Sequence, residues 1–430
     1  MEDRELLHLT ADYAADFLEG LDVRPVRAQG AVDALRGPLP QSGMEPQAVI
    51  AALVEAAEPG IVASAGGRYF GFVVGGGLPA ALAADWLASA WDQNAAMHVM
   101  SPAAAAVEET CREWLAQLLG LPAHVSVAFT TGCQMAHVTA LAAAREHLGT
   151  SQITVVVGGK RHVTVDRALR LLGIDASVVV VPADDQGRML VDDLPAIDGA
   201  TIVCAQAGEV NTGAFDDLDA IADRLAGTGA WLHVDGAFGL WAAASPSLRR
   251  LVRGSERADS WATDAHKWLN VPYDSGLAFC AHPDAHRSAM RATAAYLPGD
   301  ADHRDPIDWT PDSSRRARGF AVYAAIRQLG ADGIAELVDR CCAHARLFAE
   351  LLRDGGMTVL NDVVLNQVLV RVPADIVSAV QQDGTCWLGG TQWEGEHAMR
   401  ISVSNWRTTE DDVRRSAAAI LQAAAVRSVA

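Results

Sequence analysis

Only two lysines, Lys160 and Lys267, occur among the 34 basic residues of this 430-residue chain. Lys267 lies in an apolar segment and is followed directly by Trp268. A lysine amine can form a Schiff base with an aldehyde when burial or a neighbouring charge lowers its pKa, whereas an arginine guanidinium stays protonated. Lys267 is therefore a candidate for covalent carbonyl chemistry. A leftover lysine at a helix end is the alternative interpretation of this stretch alone.

A carboxylate precedes this lysine by 32 residues, at Asp235. Residues 231–234 are apolar and bounded by Gly229 and Gly236, which predicts a buried strand that ends at Asp235. Ligands of open α/β sheets bind at the carboxyl ends of the strands, and a carboxylate there can keep the ring nitrogen of pyridoxal phosphate protonated. A helix cap or a turn is the alternative role for a single aspartate. The pair of Asp235 and Lys267 favours the cofactor site.

Several short apolar segments must position these two residues. Residues 154–157, 177–181, 202–205 and 231–234 predict strands, and helical segments separate them along the chain. Alternation of strands and helices predicts a largely parallel sheet with right-handed crossovers. Residues 125–129 predict a further strand, followed by the turn Thr131-Gly132-Cys133-Gln134 and a helix over 135–147. The start of a helix after such a turn can bind an anion, because its backbone N–H groups are free.

The pairing of Asp235 with His266-Lys267-Trp268 resembles the fold-type I pyridoxal-phosphate enzymes, and in particular the group II amino-acid decarboxylases. This resemblance extends from about residue 69 to 412. It implies an α/β fold in which helices flank a mostly parallel sheet in a large cofactor-binding domain. A smaller C-terminal α/β domain and a helical N-terminal arm complete it. We place the large domain at residues 66–312, the small domain at 313–430 and the arm at 1–65. The family also implies a homodimer with its active site between the subunits.

The resemblance also assigns roles to individual residues. The turn from Thr131 to Gln134 would hold the cofactor phosphate, although Gln134 stands where the family usually has serine or threonine. Cys133 is expected to be a small residue that fits the turn rather than a catalytic thiol. The other expected cofactor contacts are the stacking residue His162, Thr212, the small residue Ala237 beneath the ring, the turn residue Asp264 and the phosphate donor His266.

The reaction that the resemblance implies is decarboxylation of an L-amino acid to an amine. Lys267 would form the Schiff base, and loss of carbon dioxide would give a quinonoid that is then protonated; Lys267, His162 and Asp235 are the expected catalytic residues. A loop tyrosine of the family is replaced by Pro306 in this chain. Oxidative deamination to an aldehyde, or carbon–carbon cleavage, is therefore an alternative on the same cofactor. A non-catalytic scaffold is a further alternative.

The substrate is less evident from the sequence. Tyr69, Phe70 and Phe72 are candidates for a pocket that accepts an apolar or aromatic side chain, and they are equally consistent with core residues. Arg400 is a candidate for binding a substrate carboxylate or for a structural role. Residues 292–314 contain proline, glycine and many polar residues, which is typical of a functional loop.

Composition restricts the remaining function classes. The net charge of −19 argues against a nucleic acid or an anionic membrane as partner. The seven cysteines show no metal-ligand spacing, so no metal site is expected, and their odd number is typical of a reducing compartment. The N-terminal residues are acidic and lack the pattern of a signal peptide. We therefore expect a cytoplasmic enzyme.

Overall fold

The computed structural model describes residues 3–175, 177–294 and 302–428. The strands within these ranges are β1 (Ser126–Thr130), β2 (Thr154–Gly158), β3 (Val178–Val181), β4 (Thr201–Gln206), β5 (Trp231–Asp235), β6 (Ser260–Asp264), β7 (Gly276–Cys280), β8 (Gln367–Arg371), β9 (Gly389–Trp393) and β10 (Glu396–Ser402). The α-helices are α1 (Asp3–Glu19), α2 (Pro46–Ala57), α3 (Pro79–Trp91), α4 (Pro102–Leu118), α5 (Cys133–Leu148), α6 (Val163–Leu172), α7 (Leu218–Leu225), α8 (Pro283–Met290), α9 (Gly319–Asp354), α10 (Ala374–Asp383) and α11 (Glu410–Ser428).

The larger sheet has seven strands in the order β1-β7-β6-β5-β4-β2-β3. The pairs β2–β3, β2–β4, β4–β5 and β5–β6 are parallel, and β7 runs antiparallel to both β1 and β6. All residues of β1, β4, β5, β6 and β7 are buried, as expected for strands that are covered on both faces. The prediction of an α/β fold with a mostly parallel sheet is confirmed.

The register of this sheet brings three segments of the chain to one edge. Gly276, the first residue of β7, pairs with Thr130 at the end of β1 and with Asp264 at the end of β6. Asp235, the last residue of β5, pairs with Ala262. Because β1, β5 and β6 all end here, the turn before α5 and the loop that contains Lys267 begin at the same edge.

Contacts divide the chain into two compact units. One contains residues 77–346 and 361–368, and thus the seven-stranded sheet and every predicted cofactor contact. The other contains residues up to 76, residues 347–360 and the chain from residue 369. Its C-terminal part has β-strands in the order β8-β10-β9 and the packed helices α10 and α11. The division into three domains at residues 65 and 312 stays a prediction.

Some elements differ from the sequence-based expectations. The sequence over residues 78–99 predicts one helix, but α3 ends at Trp91, because Asp92 adopts a left-handed conformation with φ of 48°. The helix expected to open at Arg315 begins at Gly319. Arg315 is buried, donates to Glu108 Oε1 at 2.6 Å and so is not part of a solvated basic turn. The loop residue Tyr296 lies outside the described residues. Among the helices described here, none is long and apolar enough to cross a membrane.

Candidate active site

The turn after β1 forms one wall of the candidate site. Helix α5 begins at Cys133, and its backbone N–H donates to Oδ1 of Asp264 at 2.6 Å. The N–H of Gln134 has no acceptor within the described ranges. One side-chain atom of the same residue, Oε1, is buried and without a hydrogen bond. The turn therefore presents a free donor and the positive end of a helix dipole, as an anion site requires.

Two glycines allow this turn to lie against β7. A Cβ atom added to Gly276 would lie 2.4 Å from backbone atoms of Gly132, which is too close for any side chain. A Cβ atom added to Gly132 would lie 3.2 Å from the ring of His266. The close approach of these backbones brings the start of α5 next to the loop that carries Lys267.

Lys267 lies against the carboxylate of Asp264. Its Nζ is 3.1 Å from Oδ2 of Asp264, and only 19% of its side chain is exposed. Burial acts to lower the pKa of Lys267, but the charge of Asp264 and, more weakly, that of Asp235 act in the opposite direction, and the net result is a raised pKa. In the protein without its cofactor, Lys267 therefore lacks the lowered pKa that would favour Schiff-base formation. The reason is the carboxylate three residues earlier.

His266 is held as a neutral hydrogen-bond donor. Its Nδ1 accepts a hydrogen bond from the backbone N–H of Ser275 at 3.1 Å, and its ring stacks on Tyr273 with centroids 4.3 Å apart. Burial lowers the pKa of His266, with a smaller opposing effect from Asp264. The proton of the neutral ring is therefore on Nε2, which faces Oδ1 of Asp264 at 3.4 Å. A donor with this orientation suits an anion bound at the start of α5.

Asp235 is buried in a ring of donors at the end of β5. Oδ1 accepts a hydrogen bond from the N–H of Ala237 at 3.2 Å and faces Sγ of Cys133 at 3.9 Å. Oδ2 lies 3.5 Å from Nε2 of His137. Burial acts to raise the pKa of Asp235, but His137, His162 and Lys267 outweigh it and hold the pKa well below its usual range. The carboxylate is therefore charged at any pH near neutrality.

The remaining predicted cofactor contacts include His162, Ala237 and Thr212. His162 caps α6, and its Nδ1 lies 2.7 Å from Oγ1 of Thr164, which fixes the ring. Ala237 packs against a cluster of small residues that includes Cys133 and Ala262. Thr212 is buried, and its hydroxyl donates to the carbonyl of Gln186 at 2.6 Å. Their roles toward a cofactor stay predictions.

The described residues fit pyridoxal phosphate. An amine, a buried charged carboxylate and the free donor of Gln134 at a helix start lie along one sheet edge, and the cofactor has an aldehyde, a pyridine nitrogen and a phosphate to match them. The pKa of the Cys133 thiol is raised well above its usual value, first by burial and then by Asp235 and Asp264. This environment agrees with a packing role for Cys133 rather than a catalytic one.

Sequence reasoning missed three buried residues behind Asp235, namely His137, His233 and Ser260. His137 is one helical turn after Cys133, and His233 lies two residues before Asp235 on the same face of β5. Those spacings were the available signal. The fold also brings one ligand atom each of Cys133, His137 and Asp235 within 4.8 Å of one another. Such a cluster could hold a metal ion, although the sequence shows no metal-ligand spacing.

The aromatic residues proposed for the substrate pocket separate into two groups. Phe70 is buried and packs edge-to-face on Phe348, so it belongs to the core. Tyr69 is buried and stacks on Trp387. Phe72 is 60% exposed, lies beside Trp387 and has a φ of 55°, a conformation that non-glycine residues rarely adopt. A pocket role for Phe72 stays a prediction, as does carboxylate binding by Arg400.

Comparison with known proteins identifies the family of this chain. Residues 38–372 match the "Pyridoxal-dependent decarboxylase conserved domain". The chain is 26% identical to an aromatic-L-amino-acid decarboxylase of Bacillus atrophaeus, over 96% of this chain and 93% of the relative. It is 30% identical to an L-2,4-diaminobutyrate decarboxylase of Rhizobium meliloti, over 78% of this chain and 73% of the relative.

A solved structure described as "Crystal structure of Oryza sativa TDC with PLP and tryptamine" superposes with a TM-score of 0.92. It is 24% identical to this chain, and the alignment covers 99% of this chain and 98% of the other. At this identity the likeness supports the fold alone. The chain is also 25% identical to a 4-hydroxyphenylacetaldehyde synthase of Rhodiola rosea, over 80% of this chain and 76% of the relative.

Proposed function

The chain belongs to the family of pyridoxal-dependent decarboxylases, and we propose that it removes the α-carboxylate of an apolar or aromatic L-amino acid. Its cofactor is pyridoxal phosphate, and its reaction class is that of an amino-acid carboxy-lyase. The observation that carries the proposal is the arrangement of Lys267, Asp235 and the start of α5 along one edge of the sheet. This arrangement provides an amine, a charged carboxylate and an anion site for one cofactor.

Bound pyridoxal phosphate supplies a sink for the electron pair that remains on Cα when carbon dioxide leaves. Asp235 is charged, so it can keep a proton on the ring nitrogen and thereby favour this electron transfer. His162 caps the start of α6 and is suited to stack on the ring. The turn from Thr131 to Gln134 and the Nε2–H of His266 would hold the phosphate. Lys267 would bind the cofactor covalently and exchange it with the substrate amine.

The proposed substrate class rests on the relatives. Several of those that match over most of the chain are decarboxylases of aromatic amino acids, including a tryptophan decarboxylase of Oryza sativa at 26% identity. The R. meliloti relative acts on a diamino acid instead. An apolar or aromatic substrate is our first choice because most of these relatives are named for decarboxylation of aromatic amino acids.

A second outcome on the same cofactor is oxidative conversion of the amino acid to an aldehyde. The similarity to the aldehyde synthase of R. rosea favours it. The position that we align with the family's loop tyrosine is Pro306, which is buried and has no proton to donate. A carbanion that is not promptly protonated can react with dioxygen. Oxygen dependence therefore distinguishes the two outcomes.

We also infer a homodimer in the cytoplasm. Helix α2 is largely apolar, yet none of its residues is buried, and Val49 and Leu53 are about half exposed at 46% and 52%. Covering such a helix with a second copy would remove this apolar surface from water. All seven cysteines are free, which is consistent with a reducing compartment. Sedimentation equilibrium of the holoenzyme would give twice the chain mass, and a monomer would contradict the dimer.

Product analysis tests the proposed reaction. Purified holoenzyme is incubated with a pool of the common L-amino acids, in air and under argon, and the products are identified by mass spectrometry. We expect an amine lighter than its parent by carbon dioxide under both conditions. An aldehyde formed only in air would favour the oxidative alternative, and a product derived from a diamino acid would overturn the apolar or aromatic substrate class.

A further inference from the structure

Five buried residues form a continuous polar chain that ends at Asp235. Trp231, His233 and Asp235 alternate along β5, so their side chains project from one face of this strand. Ser260 on β6 pairs with His233 on β5. His137 on α5 packs against the same face of the sheet. Each of the five residues is at most 5% exposed. Buried polar groups on an otherwise apolar sheet face cost free energy unless all of them are hydrogen-bonded.

The first three distances along the chain are those of hydrogen bonds. Nε1 of Trp231 donates to Oγ of Ser260 at 2.8 Å, and the same Oγ lies 2.8 Å from Nδ1 of His233. Nε2 of His233 lies 2.9 Å from Nδ1 of His137. Nε2 of His137 then lies 3.5 Å from Oδ2 of Asp235, at the distance of an ion pair, and 3.4 Å from Sγ of Cys133. Every nitrogen of the two imidazole rings thus has a partner.

The indole at the far end gives this chain a direction. An indole N–H can only donate, so Oγ of Ser260 must accept from it. Within the described residues, Nδ1 of His233 is the other partner of that hydroxyl, which therefore donates to it. His233 then carries its proton on Nε2 and donates to His137, and His137 carries its own on Nε2, toward Asp235. Burial and the neighbouring His137 lower the pKa of His233 to about 3, so that ring is neutral near pH 7, as this order requires.

We propose that Trp231, Ser260, His233 and His137 are positioning residues that direct an N–H donor at Asp235 and so hold its carboxylate ionised and oriented for the cofactor ring nitrogen. This function goes beyond the reaction proposed above and does not depend on which amino acid is the substrate. It does rest on pyridoxal phosphate as the cofactor. None of the four residues needs to contact the cofactor itself.

The same direction disfavours a metal ion at the cluster of Cys133, His137 and Asp235. A metal would require an unprotonated Nε2 on His137, and its proton would then lie on Nδ1. His233 would have to accept that proton and to donate from Nδ1 to Ser260, whose own hydroxyl proton would lose its only acceptor among the described residues. The pKa of Cys133 is also raised well above its usual value, mainly by burial, so the thiol is not a ready ligand.

Two cofactor forms test the proposal. Apoprotein is titrated with pyridoxal 5′-phosphate and with its 1-deaza analogue, in which a CH group replaces the ring nitrogen. We expect Ser260→Ala and Trp231→Phe to weaken binding of pyridoxal phosphate about threefold to tenfold, and His137→Leu about tenfold to a hundredfold. Binding of the analogue, which has no ring nitrogen for Asp235 to engage, should change less than about twofold.

His137→Gln is the matched variant, because its amide nitrogen can replace the Nε2–H donor. It should recover most of the affinity that His137→Leu loses. Equal weakening of both cofactor forms would mean that the four residues only support the fold, and would overturn the proposal. Failure of the wild-type protein to bind either form would overturn both this proposal and the cofactor assignment.

A second measurement does not depend on variants that fold poorly. ¹⁵N imidazole NMR spectra of wild-type apoprotein report which ring nitrogen carries each proton. We expect His137 and His233 to be neutral and protonated at Nε2. A proton on Nδ1 of His137 would contradict the direction of the chain and overturn the proposal.

Discussion

Nζ of Lys267 lies 3.1 Å from Oδ2 of Asp264, and the other oxygen of that carboxylate accepts the N–H at the start of α5 at 2.6 Å. One side chain thus connects the amine to the turn that we assign to the cofactor phosphate. The same contact raises the pKa of the amine in the apoprotein. An incoming aldehyde reacts with the neutral amine, so this carboxylate controls how readily the apoprotein takes up its cofactor.

Asp264→Asn should make cofactor uptake easier at lower pH. Removal of the carboxylate charge removes the main cause of the raised pKa of Lys267, so a larger fraction of the amine is neutral at pH 7. The rate of pyridoxal phosphate capture by apoprotein, followed by absorbance between pH 6 and 10, should have its midpoint at a lower pH than in the wild type. Asp219→Asn, on the exposed pair with Arg257, is the control. An unchanged midpoint would refute the account of Asp264.

The two lysines offer a matched pair for testing the covalent residue. Lys267→Arg keeps a cation beside Asp264 but cannot form a Schiff base. We expect loss of the visible absorbance of the bound cofactor and a fall in turnover on the order of a thousandfold or more. Lys160→Arg should retain both. Borohydride reduction followed by peptide mapping should label Lys267 in the wild type, and a label on Lys160 would disprove the assignment.

Gly276→Ala should damage the turn before α5. The new Cβ would lie 2.4 Å from the backbone of Gly132, so the turn or β7 must shift. We expect a loss of about 1–3 kcal/mol in the free energy of unfolding and at least about tenfold weaker cofactor binding. Gly389→Ala is the matched control, because a Cβ there meets nothing within 4 Å. Equal behaviour of the two variants in denaturant titrations would contradict this account.

Acid should destabilise the fold partly through His286. Burial, together with a weaker effect of Arg304, lowers its pKa to about 3 from an ordinary value of 6.5. Between these values the unfolded chain binds a proton that the folded chain excludes, so stability falls as the pH falls from about 6.5 toward 3. In His286→Gln this pH dependence should be weaker by up to about 1.4 kcal/mol per pH unit. The exposed His124→Gln serves as control, and parallel curves for wild type and His286→Gln would exclude this contribution.

The sequence was sufficient to predict the strand and the helix that position the site. An apolar strand that ends in Asp235 and a helix that follows a small-residue turn are local patterns, and both predictions are confirmed. The contact between Asp264 and Cys133 could not be predicted in the same way. It depends on the pairing of Gly276 with both Thr130 and Asp264, through the antiparallel strand β7, and no local pattern specifies that register.

Two further residues have environments that depend on partners distant in the sequence. The basic residues at 315–318 are typical of a solvated turn, but Arg315 is buried and pairs with Glu108 of α4. His137 looked like one more residue of an alanine-rich helix, because its partners Asp235 and His233 lie about 100 residues away in sequence. Residue types alone do not reveal partners at that separation.

The most direct test of the account follows the carboxylate carbon. Holoenzyme is incubated with the amino acid found by product analysis, labelled with ¹³C at the carboxyl group, and the released ¹³CO₂ and the amine are both quantified. We predict equal amounts of the two in air and under argon, and neither from Lys267→Arg. Amine or aldehyde that retains the label, or ¹³CO₂ release that survives in Lys267→Arg, would contradict a decarboxylation that depends on Lys267.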